Sequence, residues 1–537
     1  MTAAPAPPAA LALPRVAIVT LGCGRNEVDS DQLAGLLGAR FEVTADAADA
    51  DVVLVNTCTF IEPAKQESID TILAAVDLKH DDEEEGRTAS ATGVVVIGCM
   101  AQRYPDELSE ALPEADAIVG FAGYPTLPGL IDDILGGREH ERVIGIEAST
   151  APSVLPGRSL PVFGAAPADL PATLPTDSGV EATTSQAIWL SPVPELPGAA
   201  PDDAVIDPLA PVTAAESPAS GPIFPPRRAA DGTWAYLKIA SGCDRLCTFC
   251  AIPSFRGRFR SRGIDELVAE ATWLAGQGVR ELVLVSENTT SWGKDLGAWN
   301  GRPGGRSLAP HLLQALADVE GIHRIRLMYL QPAELREDLL EAITGIDEVA
   351  DYFDLSLQHV SADVLRRMAR SGSPERFAVL VERIRELAPD AAIRSNFILG
   401  FPGEADDDVA RLGTFLTEHE LDFVGLFTYS DEDGTAAVDL PDHVPAEVAD
   451  RRLEDVADVV NRASDERARR RIGDRVEVIV EGVDDAGVWG RSHREAPESD
   501  GEVRLVDADG APAAFEPGAI VTAVVVASDG VDLVAMA

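Results

Sequence analysis

The stretch Ser241-Gly242-Cys243-Asp244-Arg245-Leu246-Cys247-Thr248-Phe249-Cys250 sets three thiols at Cys-x-x-x-Cys-x-x-Cys spacing, just after the apolar run 235–240. A loop of this kind can wrap three thiolates around three irons of a 4Fe-4S cube, because soft sulfur ligands suit iron–sulfur clusters. The fourth iron then has no protein ligand, and a chelating small molecule can take it. A structural zinc is the plainer alternative, but it wants four closed donors. No further Cys or His stands close in sequence to complete such a set, although a distant one would serve. A disulfide leaves one of the three thiols over.

Three more cysteines follow a second pattern. The β-branched runs 15–21, 51–56 and 94–97 stop at Gly22-Cys23, Thr57-Cys58 and Gly98-Cys99, with helical patterns over 29–37 and 63–76 between them. Continuous apolar strands alternating with helices predict a doubly wound parallel sheet. Parallel strands end on one edge, where α/β folds bind ligands, so Cys23, Cys58 and Cys99 are expected to meet. A single buried cysteine is usually a small hydrophobe. Three after three consecutive strands point instead to a second cluster with one open iron, buried structural thiols being the alternative. The neighbouring glycines would let the backbone approach such a cluster closely.

The elements that must position these sulfurs fall into three units. At 537 residues the chain is too long for one core, and roughly three domains are expected. The central unit, about 232–440, places a helix at 264–277 after the cysteine loop. Strands follow at 281–285, 324–330, 352–357, 391–399 and 423–428, with helices such as 362–369 and 375–387 between them. This repetition predicts an open or closed (β/α) barrel with its site at the C-terminal strand ends. One strand closes on Ile398-Leu399-Gly400-Phe401-Pro402-Gly403-Glu404. Its glycines permit close approach to a ligand, and Glu404 is placed to accept a hydrogen bond or to cap the next helix. After a charged helix at 445–471, short strands at 476–480, 503–506, 520–526 and 531–534 predict a small β-barrel.

Other segments carry less chemistry. Residues 151–226 hold 16 prolines in 76 positions, which rules out sustained helix or sheet and reads as a linker or insertion. The segment 187–190 within it is a residual apolar patch, and 81–85 is an acidic solvated run. Residues 1–13 form an Ala- and Pro-rich tail without the positive region of an export signal. No window reaches the ~20 apolar residues of a membrane span. Six cysteines in so long a chain make no disulfide scaffold, and a reducing cytoplasm is the expected compartment. The net charge of −46 opposes broad nucleic-acid binding. Since 40 of the 44 basic residues are arginine, a genome-wide base bias accounts for part of it. Residues 473–537 are acidic in their own right, with four arginines, no lysine and 14 carboxylates.

The cysteine loop resembles the signature of radical S-adenosylmethionine enzymes, and the three units in order resemble the methylthiotransferase family among them. Matching stretches are 21–30, 55–61 and 97–104, then 242–256, 355–359, 394–404 and 429–435. The resemblance implies an N-terminal methylthiotransferase domain (15–147), a radical core with its connecting helix (231–471) and a C-terminal TRAM-like barrel (472–537). A disordered tail (1–14) and a Pro/Ala-rich insertion (148–230) complete the chain. It implies two 4Fe-4S clusters, on Cys23, Cys58 and Cys99 and on Cys243, Cys247 and Cys250, with S-adenosylmethionine held near Phe249, Gly400, Gly403 and Glu404. One S-adenosylmethionine would supply a methyl group to sulfur at the first site. A second would be cleaved at the other to a 5′-deoxyadenosyl radical that takes hydrogen from the substrate carbon, chemistry that acid–base groups cannot perform. Within the family, Asn26-Glu27-Val28-Asp29-Ser30 and 429–435 resemble the branch that modifies an aspartate of the basic small-subunit ribosomal protein S-twelve. The other branch modifies an adenosine of transfer RNA. The acidic barrel suits a basic protein partner better than phosphates. A reductase or flavodoxin-like electron donor and a sulfur donor of unstated identity are also implied. A metal-stabilised, ribosome-associated scaffold without catalysis is the rival from another class. Gln331, Ser356 and the two insertions depart from the family pattern and bear on partner contacts more than on chemistry.

Overall fold

The computed structural model describes residues 13–59, 61–80, 90–146, 232–296 and 309–537. The tail to residue 12, the acidic run 81–85 and the proline-rich 151–226 with its segment 187–190 lie outside the described residues.

The N-terminal unit is a parallel sheet of β1 (Arg15–Thr20), β2 (Glu42–Thr44), β3 (Val52–Thr57), β4 (Gly93–Ile97), β5 (Ala117–Val119) and β6 (Val143–Ile144), in the order β2-β1-β3-β4-β5-β6. Every residue of β3 and β4 is buried, which explains their unbroken β-branched sequence: helices cover both faces. These helices are α1 (Gly24–Leu37), α2 (Glu62–Asp77), α3 (Gly98–Arg103), α4 (Pro105–Ala111) and α5 (Leu127–Leu135). The sheet has twice the expected number of strands. The additional ones span only two or three residues, too short for period counting to register.

In the central unit β7 (Trp234–Lys238) leads into the short β8 (Ala240–Ser241), then α6 (Ile252–Arg256) and β9 (Arg260–Ser261). β8 and β9 pair antiparallel and so clasp the neck of the cysteine loop. The barrel continues through α7 (Ile264–Gly276), β10 (Glu281–Val285), α8 (Ala309–Ala317), β11 (Arg324–Leu327), α9 (Glu337–Gly345), β12 (Tyr352–Gln358) and α10 (Ala362–Arg367). It ends with α11 (Pro374–Leu387), β13 (Ala392–Leu399), α12 (Asp406–His419) and β14 (Phe423–Thr428). Two three-stranded parallel sheets, β11-β10-β7 and β12-β13-β14, are joined by parallel bridges at Ile325↔Val349 and Leu330↔Leu355. Among the described residues β7 and β14 do not pair, so the barrel is open. Outward strand positions such as Leu282, Leu284, Leu355 and Ile393 share one apolar core with the surrounding helices. Each such side chain contributes about 1.5–3 kcal/mol on burial.

The helix α13 (Ala446–Arg470) leads to a closed barrel of β15 (Arg475–Asp484), β16 (Gly487–Arg491), β17 (Val503–Val506), β18 (Ile520–Asp529) and β19 (Asp532–Met536). The sequence pattern shows four of these strands. β16 escapes because two of its five residues are glycine, which weakens a strand signal.

The inward strand positions of the central barrel are polar at their N-terminal ends, and the segment 492–500 between β16 and β17 fills that end. Arg326 donates to the carbonyls of His493 (2.8 Å) and Ser492 (3.2 Å). Tyr236 donates to Glu498 at 2.8 Å, Tyr352 to Asp500 at 2.5 Å, and Arg394 pairs with Asp500 at 2.5 Å. Ala496 is fully buried against inward residues such as Val283, Tyr352 and Ala392. Glu281 lies among Arg324, Arg326 and Arg491. Burial alone would raise its carboxyl, but these guanidinium groups hold it at about 2. Replacing Asp500 with Ala leaves the buried Arg394 with the neutral Ser499 hydroxyl and, among the described residues, Asp354 at 4.0 Å as its nearest remaining carboxylate. Loss of one partner of a buried pair costs about 3–5 kcal/mol, so Asp500→Ala is expected to lower the urea midpoint of the full chain markedly, and an unchanged midpoint would refute this role.

Candidate active site at the domain junction

The N-terminal thiols come together because α1 begins where β1 ends. Cys23 occupies the N-cap position of this 14-residue helix. Cys58 follows β3, and its backbone N–H is received by Ser68 Oγ at 3.0 Å. Cys99 lies on the first turn of α3 rather than on a loop. Asn26 ties the three segments together. Its amide donates to the carbonyls of Leu21 (2.9 Å) and Thr57 (3.1 Å), and its Oδ1 lies 3.6 Å from Cys99 Sγ. Gly22 has φ +90°, and a Cβ built there would stand 2.8 Å from Cys58 Sγ. Gly98, at φ +92°, presses on Asn56 and the Thr57 backbone in the same way. These glycines serve the approach of one cysteine-bearing segment to another, a role nearer to packing than the ligand approach expected of them.

The central triplet is held from several sides. Cys243 N–H donates to the Gly257 carbonyl at 3.0 Å and Cys250 N–H to the Cys247 carbonyl at 3.1 Å. Arg370, buried and bonded to the Ser356 carbonyl, hydrogen-bonds Cys247. Burial raises the Cys250 thiol to about 12, with the neighbouring Cys247 adding to the rise. Cys243 is raised further by burial and by Cys250. Burial raises Cys99 as well, against the pull of Arg256. Buried thiols that resist ionisation this strongly need a cationic partner before they act as thiolates, and the iron core of a cluster is one. Among the described residues no three Cys, His, Asp or Glu side chains converge on one point as ligands of a single ion. The thiols of a cubane, by contrast, hold three different irons. Three soft sulfur donors in each set are the kind of ligand such a group takes.

Phe249 and the 400–404 loop are brought to the same place. Phe249 meets Phe401 edge to face at 6.3 Å, and Phe401 meets Tyr429 at 5.1 Å. Gly400 and Gly403 have φ +76° and +82°. Glu404 does not cap the next helix, whose N-cap position is Ala405. Its carboxylate turns back onto the loop, accepting from Gly400 N–H at 3.0 and 3.1 Å and pairing with Arg452 at 2.9 Å. It shapes the loop from within.

The two triplets face each other across the junction. Cys99, Cys243 and Cys250 share one apolar cluster with Phe121, Ile252 and Phe255. Around it runs a buried ionic group: Arg25 pairs with Glu287 at 2.9 Å, Lys238 with Asp29, and Arg256 reaches Cys99 Sγ at 3.3 Å. Sequence reasoning assigned no role to Arg25, Asn26, Asp29, Arg256 or Glu287. No local pattern marked them: the helical period over 29–37 starts after Arg25 and Asn26, and Arg256 and Glu287 lie outside α1.

Two measurements check this geometry. Asn26→Ala removes two backbone bonds that nothing else replaces, and a loss of about 2–3 kcal/mol is expected in thermal unfolding of the metal-free chain. In the same metal-free chain, alkylation of Cys250 should keep accelerating as pH rises towards 12. Levelling off near the ordinary thiol value of about 8.5 would contradict the burial described.

The description "Uncharacterized protein family UPF0004" matches residues 15–120, "Radical SAM superfamily" 237–416 and "TRAM domain" 472–537. The chain is 44% identical to the ribosomal protein uS12 methylthiotransferase RimO of Streptomyces coelicolor, over 97% of this chain and 96% of that one. It is 46% identical to the protein of the same name from Cutibacterium acnes, over 97% of each. Among solved structures, the radical S-adenosylmethionine methyltransferase TsrM of Kitasatospora setae is similar with a TM-score of 0.46 and 16% identity, over 78% of this chain and 75% of that one. With such identity running nearly end to end, the chain belongs to the family of ribosomal protein uS12 methylthiotransferases.

Proposed function

We propose that the chain inserts a methylthio group at the β-carbon of an aspartate of the small-subunit ribosomal protein S-twelve, with S-adenosylmethionine as methyl donor and radical source. The observation that carries this reading is the meeting of two thiol triplets at one buried junction. Cys23, Cys58 and Cys99 would hold one 4Fe-4S cluster and Cys243, Cys247 and Cys250 the other. When bound, these clusters supply sulfur activation at the first site and one-electron cleavage of the sulfonium at the second.

The protein's own part is placement and exclusion of water. Phe249, Phe401 and the Gly400–Gly403 backbone would form the S-adenosylmethionine cradle, which Glu404 keeps in shape from behind. The apolar cluster around Phe121 and Phe255 shields the junction, where a carbon radical must meet sulfur before it meets solvent.

The acidic barrel supports a basic protein substrate. Of its four arginines, Arg491 and Arg494 are buried against Glu281 and Asp422, and Arg504 pairs with Asp484 and Glu502. Glu495 and Asp500 are buried as well, so the outer surface keeps the acidic balance of the composition, which favours steering of a cationic partner and offers little to phosphates. A flavodoxin-like or reductase electron donor, action in the cytoplasm, and domain limits of 15–147, 231–471 and 472–537 complete the proposal.

Mass spectrometry of ribosomal protein S-twelve from cells lacking this gene is expected to show loss of the methylthio increment; its persistence would sink the assignment, and loss of the modification from transfer RNA would transfer it to the other branch. In the purified enzyme, Cys243→Ala should abolish 5′-deoxyadenosine formation. Cys58→Ala should retain that cleavage and lose sulfur insertion.

A further inference from the structure

Arg256 closes α6, the helix after the central cysteine loop, yet its guanidinium lies among residues of the N-terminal unit. It is 1% exposed. Its Nη2 donates to Asn26 Oδ1 at 2.9 Å and to Cys99 Sγ at 3.3 Å, above the Phe121 ring at 4.9 Å. An interdomain ion pair is the ordinary explanation for such a residue, and it is part of the account, since Nη2 also donates to Asp29 Oδ2 at 3.4 Å, but it leaves the contact with sulfur unexplained. The nearest carboxylate oxygens, on Asp29 and Glu287, stand at 3.4 and 3.7 Å. Each of those acids has a closer cation, Lys238 for Asp29 and Arg25 at 2.9 Å for Glu287. Three cations therefore face two carboxylates, and the surplus charge is that of Arg256. Its Nη1 is buried and, among the described residues, has no hydrogen-bond partner. A buried guanidinium N–H left unpaired is costly, so its position beside the thiol triplet implies a further acceptor.

We propose that Arg256 is a positioning residue for anionic sulfur at the Cys23/Cys58/Cys99 site: Nη2 holds the Cys99 thiolate, and Nη1 receives a hydrosulfide- or alkylthiolate-class ligand brought there. The inference rests on the reading of that triplet as the ligands of a 4Fe-4S cluster. A guanidinium suits the task because it stays charged when buried and offers its N–H groups in a fixed fork. Donors to cluster sulfur favour the reduced, more negative state and so raise its potential.

The test uses anaerobically purified full-length holoenzyme. Wild-type protein should carry about eight irons per chain; about four would overturn both this inference and the two-cluster reading beneath it. With eight irons present, Arg256→Gln should shift the N-terminal cluster to a more negative potential in an EPR-monitored redox titration, while the radical-site cluster keeps its potential. Sodium hydrosulfide, added as the probe, should perturb the N-terminal signal with at least about tenfold weaker affinity, the size of one lost charge-assisted bond. Unchanged potential and unchanged hydrosulfide affinity would overturn the inference alone. If Arg256→Gln loses iron, Arg256→Lys, which keeps the charge, is read in its place. It should then retain eight irons and show a smaller shift of the same sign, and wild-type values in that variant would also overturn the proposal.

Discussion

Sulfur anions cannot be buried without positive charge beside them, and much of this structure answers that constraint. Five of the six cysteines are buried, and Cys250 is nearly so. Cations reach each group from elsewhere in the fold: Arg370 for the central triplet, Arg25 and Arg256 for the junction. Arg256 belongs to the central unit and serves a cysteine of the N-terminal one. The surroundings of the N-terminal cysteines are therefore not complete within a single domain.

The same requirement fixes how the domains meet. α1 lies on the inner side of the open barrel, with Val28 packed among Val283, Val285 and Met328 and a Cβ on Gly24 excluded by the Tyr236 ring. Buried ion pairs add little net stability because desolvation offsets their attraction. Their geometry is demanding all the same, and Lys238–Asp29 and Arg25–Glu287 admit one relative placement of the two units. Reaction between the sites needs that fixed placement, since a small displacement of reacting groups is expensive in rate.

Much of this was legible from residue order. The two cysteine spacings, the parallel sheet, the repeating barrel and the glycine-rich loop after β13 all follow from local pattern, and the folded chain has them. The ionic junction does not, because its partners are remote: Lys238 and Asp29 are 209 positions apart, Arg256 and Asn26 230. The first turn of α1 was hidden for a related reason. Arg25 and Asn26 are buried polar residues, so the helical pattern over 29–37 begins only after them. Local rules fail there because the site overrides them. Glu404 was expected to accept a hydrogen bond or to cap the next helix, and only the fold shows that it accepts from Gly400 of its own loop and leaves the cap position to Ala405.

The segment 492–500 also bears on how far this enzyme can be treated as modular. A terminal barrel that merely hung from α13 could be exchanged between relatives to alter what is recognised. Here that barrel carries its own cork, seated in the floor of the neighbouring one, and Asp500 and the carbonyls of Ser492 and His493 complete the coordination of Arg394 and Arg326. A graft that moved the strands without the cork would open the catalytic chamber from below. Recognition is therefore free to diverge on the outer strands, whereas the inward connection must change in step with the chamber it seals.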